Sequence, residues 1–281
     1  MKKITLCCMA ALMAACQEHK DNIQPSQIVV EGWIEEGEFP IVQLMHSIPI
    51  TFEYQSFDSL GKYMERWAKV TISDGSNEVV LVGKPDRRYM PPFLYTTTDM
   101  RGERGKTYRL TVEYGNGGHA EATTSIPAKA TLDTIWIESV ASSDTLFQLR
   151  GRITAEPPGS GEQYYKLFST IGVMSRQYLS SYLGVMSSSM LGSSREVPIN
   201  KGRNNLTTDL FTPYYTHGDT VFVKIARLDK TAYDFWHSFE DMATLSRNPL
   251  FPMNDNLTTN ISGGLGYWFG YGSSTYSIVI P

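Results

Sequence analysis

The chain has 281 residues, enough for one large domain or two of ordinary size, and its 41% hydrophobic content suffices for a packed core. Its 25 basic residues are outnumbered by 29 acidic ones, a formal net charge of −4, and no basic block stands out, which argues against nucleic acid as a partner. All three cysteines (Cys7, Cys8 and Cys16) lie in the first sixteen residues, so the rest of the chain has no internal disulfide, cysteine zinc site or cysteine nucleophile and must be stable through burial alone.

Lys2 and Lys3 give a positive start, and Ile4 to Ala15 is apolar. That run is too short for a mature transmembrane helix, which takes about 20 residues, but it suits the hydrophobic region of a signal peptide. It ends Met13-Ala14-Ala15-Cys16, which resembles the lipobox of bacterial lipoproteins, with Met13 where leucine is more usual. The resemblance implies a leader over residues 1–15, cleavage before Cys16 and lipidation of its thiol; the competing reading is an ordinary signal peptide with an incidental cysteine. One acyl chain anchors only marginally, at about 0.8 kcal/mol per buried CH₂, and lipoproteins usually carry two or three. Residues 16–26 are then the acylated cysteine and a linker. Its Gln17-Glu18-His19-Lys20-Asp21-Asn22 stretch resembles signals that send lipoproteins of Bacteroidota to the outer face of the outer membrane, although any solvated linker is polar.

From residue 27 short strand-like runs follow one another. Gln27–Ile34 and Pro40–Ser47 are rich in β-branched residues, and Trp67–Ser73 places Ala68, Val70 and Ile72 on one face. Asp74-Gly75-Ser76 turns that run into Asn77–Gly83, a hairpin signal. In Lys106–Tyr114, Tyr108, Leu110, Val112 and Tyr114 alternate with polar residues, the period of a half-buried strand. Asn116-Gly117-Gly118 then leads into His119–Ile126. About seven strands without a helical period predict an immunoglobulin-like β-sandwich over residues 27–128, closed near Pro127 and lacking a disulfide.

A second β-rich, sandwich-like domain is expected over 129–281. Its strand candidates are Leu132–Val140, Thr145–Thr154, Gln163–Val173, a weaker Gln177–Met186, Asp219–Leu228 and a closing Tyr276–Ile280. Ser187–Ser194 reads as a mobile loop. One amphipathic helix, about 231–245, is predicted from Ala232, Phe235, Trp236, Phe239, Met242 and Ala243. A capping box of Thr231 with Asp234 would open it, and Asn248-Pro249 lies beyond its end.

Three stretches in their order and spacing carry a wider resemblance. They are Ile28-Val29-Val30-Glu31-Gly32-Trp33-Ile34 with Pro40-Ile41-Val42-Gln43-Leu44, then Gly105 to Val112 leading into Ile126-Pro127 and Leu132-Asp133-Thr134-Ile135, and last Asn260 to Tyr271 after Tyr233-Asp234-Phe235-Trp236. Together they resemble domain-of-unknown-function family 4249, a group of Bacteroidota lipoproteins. Members are often encoded beside TonB-dependent transporters, so the resemblance implies an accessory role in uptake and implies no catalytic residues.

Searching for chemistry directly yields little. His19, His46, His119, His217 and His237 form no close ligand pair; there is no nucleophile elbow, phosphate loop or calcium loop. No catalytic residue, metal or cofactor is therefore expected. Tyr267, Trp268, Phe269 and Tyr271, interleaved with Gly266, Gly270 and Gly272, are the candidate ligand- or partner-binding residues, because glycine lets the backbone turn and rings offer contact area at low entropic cost. Alternatively, those rings fill the gap between sheet and helix. Phe211, Tyr214 and Tyr215 form a second cluster with the same ambiguity. Asp58-Ser59-Leu60, Asp133-Thr134-Ile135, Asp144-Thr145-Leu146 and Asp219-Thr220-Val221 match a bacterial O-glycosylation signal, and the last three also read as turn-to-strand boundaries. Asn205, Asn256 and Asn260 sit in sequons that mean little in a bacterium.

The expected function is non-enzymatic: an outer-membrane lipoprotein facing the cell exterior that assists a TonB-dependent transporter, by capturing an unidentified small-molecule, peptide or glycan ligand or by covering the pore. A structural or adhesive surface module is the alternative, and a hydrolase with an unrecognised site is the third.

Overall fold

The computed structural model describes residues 26–47, 61–115, 117–141, 143–173, 177–203, 211–245 and 257–281. The expected leader, Cys16, nearly all of its linker, Asp58-Ser59-Leu60, Asn205, Asn248-Pro249 and Asn256 lie outside the described residues.

Alternation of apolar and polar side chains along the early runs produces β1 (Ile28–Glu35), β2 (Ile41–His46), β3 (Lys69–Ser73), β7 (Thr107–Tyr114) and β8 (Gly118–Ser125), within about two residues of the sequence expectation. The Asn77–Gly83 run departs from it. Leu81 turns inward and its N–H donates to Val70 O at 2.8 Å, so the run breaks into β4 (Glu78–Val80), which pairs with β3, and β5 (Val82–Pro85), which pairs with β6 (Phe93–Thr96) in another sheet. The later strands are β9 (Leu132–Ser139), β10 (Leu146–Ile153), β11 (Tyr164–Ile171), β12 (Leu179–Ser187), β13 (Glu196–Ile199), β14 (Tyr215–Thr216), β15 (Thr220–Leu228) and β16 (Leu265–Val279). β6, β13 and β14 were not expected; they are too short to show a period, and β13 carries Pro198 at a sheet edge, where a missing N–H costs least.

The helix α1 (Lys230–Leu245) sits where its apolar spacing puts it, but its cap differs from the expectation. Asp229 accepts the N–H of Ala232 at 2.7 Å, while Asp234 pairs with Lys230 one turn away, so the capping box is not formed. Ser187–Ser194 is not an unstructured loop either. It completes β12 and enters a short 3-10 turn, Ser188–Met190, where Ser189 bridges Ser187 and Glu162.

The fold is mainly β, with a single helix among the described residues. An eight-stranded sheet in the order β12-β11-β15-β16-β1-β2-β6-β5 forms its centre. Two smaller sheets, β4-β3-β7-β8 and β13-β10-β14 with β9 beside β10, pack against one face of it. The first sandwich core joins Ile28, Val30 and Val42 to Ile72, Leu110 and Val112. In the second, Leu167, Val223 and Ile225 meet Leu149 and Ile199.

β16 is shared by both sandwiches. Its first half pairs parallel with β1, from Val29↔Leu265 to Glu35↔Tyr271, and its second half pairs antiparallel with β15, from Arg227↔Gly272 to Thr220↔Val279. The expected closing strand Tyr276–Ile280 is therefore the tail of a fifteen-residue strand, and the two expected modules share one sheet. Trp268, near the carboxyl terminus, is fully buried in the amino-terminal core, with its indole N–H donating to Tyr108 O at 3.1 Å. Gly32, its partner across the ladder, leaves room for the ring; a Cβ there would stand 2.8 Å from the indole.

Gly270 serves a different approach. Its N–H donates to the Thr124 hydroxyl, and a Cβ would lie 2.3 Å from Ser125 O, so the end of β8 rests directly on β16. Gly270→Ala is expected to cost about 3 kcal/mol or more in chemical denaturation, because backbone must yield rather than a flexible side chain. A change within about 0.5 kcal/mol, ordinary for a surface site, would show that the two strands do not meet this closely.

Candidate functional site

Along β16 the side chains alternate, and so do their destinations. Trp268 enters the first sandwich, whereas Tyr267, Phe269 and Tyr271 point to the opposite face of the large sheet, where α1 covers them. Phe235 meets Tyr267 and Phe269 with ring centroids 5.0 and 5.5 Å apart, and the Trp236 N–H donates to the Tyr271 hydroxyl at 3.0 Å. All four expected binding residues are buried, none more than 8% exposed. That is the packing alternative: Tyr267, Trp268, Phe269 and Tyr271 fill cores on both sides of the sheet and offer no ring to a ligand. Burial also holds the Tyr267 and Tyr271 hydroxyls well above the ordinary tyrosine range. The second aromatic cluster separates similarly. Tyr215 is core, Tyr214 is half-buried, and Phe211 rests on Tyr182 at 5.5 Å.

The described histidines do not converge. His46 meets Glu65 at 3.1 Å, His119 lies beside Glu121, His237 pairs with Asp241 one turn on, and His217 sits in an exposed turn. Among the described residues no three of His, Cys, Asp and Glu are grouped as metal ligands would be. Of the O-glycosylation matches, Thr134 and Thr145 are exposed and Thr220 is partly covered.

Polar chemistry concentrates instead on the helix-bearing face, in three places. Lys166 of β11 is fully buried and meets Glu240 of α1 at 2.5 Å. The same carboxylate accepts the N–H groups of Gly184 and Val185 at 2.9 and 3.2 Å. Those donors are free because β12 is irregular there: Leu183 has φ of 51° and the β11–β12 register shifts. Burial lowers the affinity of the Lys166 amine for its proton, and Glu240 opposes that effect. The group clamps α1 to the sheet edge.

At the seam between the two halves, Lys224 of β15 meets Glu35 of β1 at 2.6 Å, and Ser273 of β16 donates to the other carboxylate oxygen. The Tyr178 ring lies 4.5 Å from the Lys224 ammonium. Charge is neutralised within the cluster, which ties three strands together.

The third place is unbalanced. Glu31 of β1 stands across the ladder from Gln43 on one side and Tyr267 on the other. Desolvation by burial raises its carboxyl to about 7, and no cation among the described residues pairs with it. Gln43 is buried; its amide donates to Pro91 O at 2.6 Å, but its Oε1 has no partner among the described residues. Trp33 and Tyr89, with rings 6.3 Å apart, extend the same face. A carboxyl raised by burial beside a buried amide oxygen is a polar weak point of the sheet, and it is not a nucleophile–base pair. Sequence reading passed over Glu31 and Gln43, whose only signal was a carboxylate and an amide among β-branched residues.

A family model described as a domain of unknown function (DUF4249) matches residues 17–277. No curated protein matches the chain.

Two outcomes follow from this face. Because the Glu31 carboxyl is raised in the folded protein, its contribution is fully present below about pH 4.5 and is lost as pH climbs through about 7. Glu31→Gln is therefore expected to flatten the fall in stability between about pH 5 and pH 8, by at most about 3 kcal/mol in denaturant titrations; parallel curves for the two proteins would contradict it. Glu240→Ala leaves the Lys166 charge buried alone and is expected to cost about 3–5 kcal/mol. Adding Lys166→Met should recover much of that loss but not all, since two backbone donors stay unpaired.

Proposed function

The chain belongs to the DUF4249 family, and from that premise we propose that it is a lipid-anchored outer-membrane protein facing the cell exterior. In this reading it serves a TonB-dependent nutrient-uptake system without catalysing a reaction, by capturing ligand or covering the transporter pore. The observation that carries the anchor is the small-residue motif that ends at Cys16. The family match opens at residue 17, one position past Cys16, and residues 13–16 read Met-Ala-Ala-Cys. The uptake role rests on the genomic company that the family resemblance implies.

The fold supports a recognition role in a general way. A shared sheet with buried cores on both faces holds its surface loops in fixed relation, and rigid scaffolds carrying loops are common recognition devices. The same architecture also serves adhesive and structural surface modules, which remains the second reading.

Cys16→Ser is expected to leave the leader unprocessed and to release the protein from the lipidated envelope fraction; a variant still processed and still sedimenting would place the tether elsewhere. Native protein purified from solubilised outer membrane is expected to bring a TonB-dependent transporter with it. Recovery of the protein alone, with glycan binding and with normal nutrient growth of a deletion strain, would favour the adhesive module.

A further inference from the structure

We propose that the end of the molecule carrying Trp67 lies on the lipid headgroup layer, so that the protein is docked and oriented on its membrane rather than only tethered to it. The proposal rests on the lipid-anchor reading above and adds a contact surface to it.

The tether leaves the fold at a defined place. Gln27 and Ser47 exchange hydrogen bonds at 2.8 and 3.0 Å, which fixes the entry to β1 beside the end of β2. Residues 61–67 run along the same end. Met64 bridges Met45, the Glu65 N–H donates to Leu44 O at 3.0 Å, and Glu65 reaches His46 at 3.1 Å. Trp67, next in line, is 93% exposed, with Lys62, Arg66 and Lys69 also on the surface.

An indole that far out of the core is costly to leave in water, and it suits the membrane interface, where an apolar ring with one polar edge is at home. Trp268 and Trp236 are buried and each spends its N–H on a buried acceptor, while Trp33 and Trp136 are half-buried. The cations match the charge of an anionic lipid surface, in a chain whose net charge is −4. Lys69 meets Glu113 at 3.0 Å, Glu65 is held by His46 and by the Trp67 N–H, and Lys62 and Arg66 are exposed beside Trp67.

Tether length agrees. Nine residues lie between Cys16 and Ser26, a reach of at most about 35 Å when fully extended. The nearest end of the fold is thus within reach of the bilayer. β16 begins at the same end, since Leu265 pairs with Val29, and runs fifteen residues to Val279. The second sandwich is then carried outward by up to about 50 Å of strand.

The test uses the full lipidated chain in vesicles of phosphatidylethanolamine and phosphatidylglycerol containing a lipid spin-labelled high on its acyl chain. Part of the tryptophan emission should be quenched in the wild type, and that part should vanish in Trp67→Phe. Lys62→Glu with Arg66→Glu should reduce the quenching at least twofold while the protein still floats with the vesicles. A chain that floats with vesicles but shows equal quenching with and without Trp67 overturns the docking and leaves the anchor standing. A lipid-processed chain that does not float at all overturns the anchor, and the docking falls with it.

Discussion

One backbone ladder holds this molecule together. β16 hydrogen-bonds to β1 on one half and to β15 on the other, so a single strand closes both sandwiches. A strand that changes partner part-way needs both partners in line, and Gly272 marks the exchange because Ala128 O lies where its Cβ would be. Neither core is complete without residues near the carboxyl terminus. Trp268 completes the first, and Tyr276 and Ile278 pack on the second. The contacts that matter most therefore join the two ends of the chain, which makes the order of assembly strongly non-local.

That constraint explains the placement of charge. Buried ion pairs add little net stability, because desolvation offsets attraction, but they penalise wrong pairings heavily. Glu35 with Lys224 and Ser273 sits where β1, β15 and β16 must register; Lys166 with Glu240 sits where the helix must seat against an irregular strand. Each pair selects one arrangement at a joint that hydrophobic contact alone would leave tolerant. Glu31 has no such ion pair among the described residues, and burial raises its carboxyl instead.

On the proposed reading, the same shared sheet also sets how far the protein reaches from its membrane. The tether emerges where β1 and β16 both begin, so the strand that joins the sandwiches also points the second one away from the anchor. A lid or capture module attached to a transporter needs a fixed reach, and a continuous ladder supplies it more firmly than a flexible linker between independent domains.

Read as a sequence, the chain already shows its β character, most strand positions and the helix, because these are local: alternation in Thr107–Tyr114 and three- and four-residue spacing from Ala232 to Phe239. The helix cap moved by one residue pair, since Asp229 reaches Ala232 and a motif match at Thr231 cannot weigh that competition. Only the tertiary structure decided that the glycine-aromatic stretch is core, that it belongs to a strand shared by two sandwiches, and that Glu31 faces Gln43 and Tyr267. The reason is that a side chain's burial depends on what packs on each face of its strand, and for β16 that is Tyr108 and Thr124 on one face and α1 on the other, none of them its neighbours in sequence.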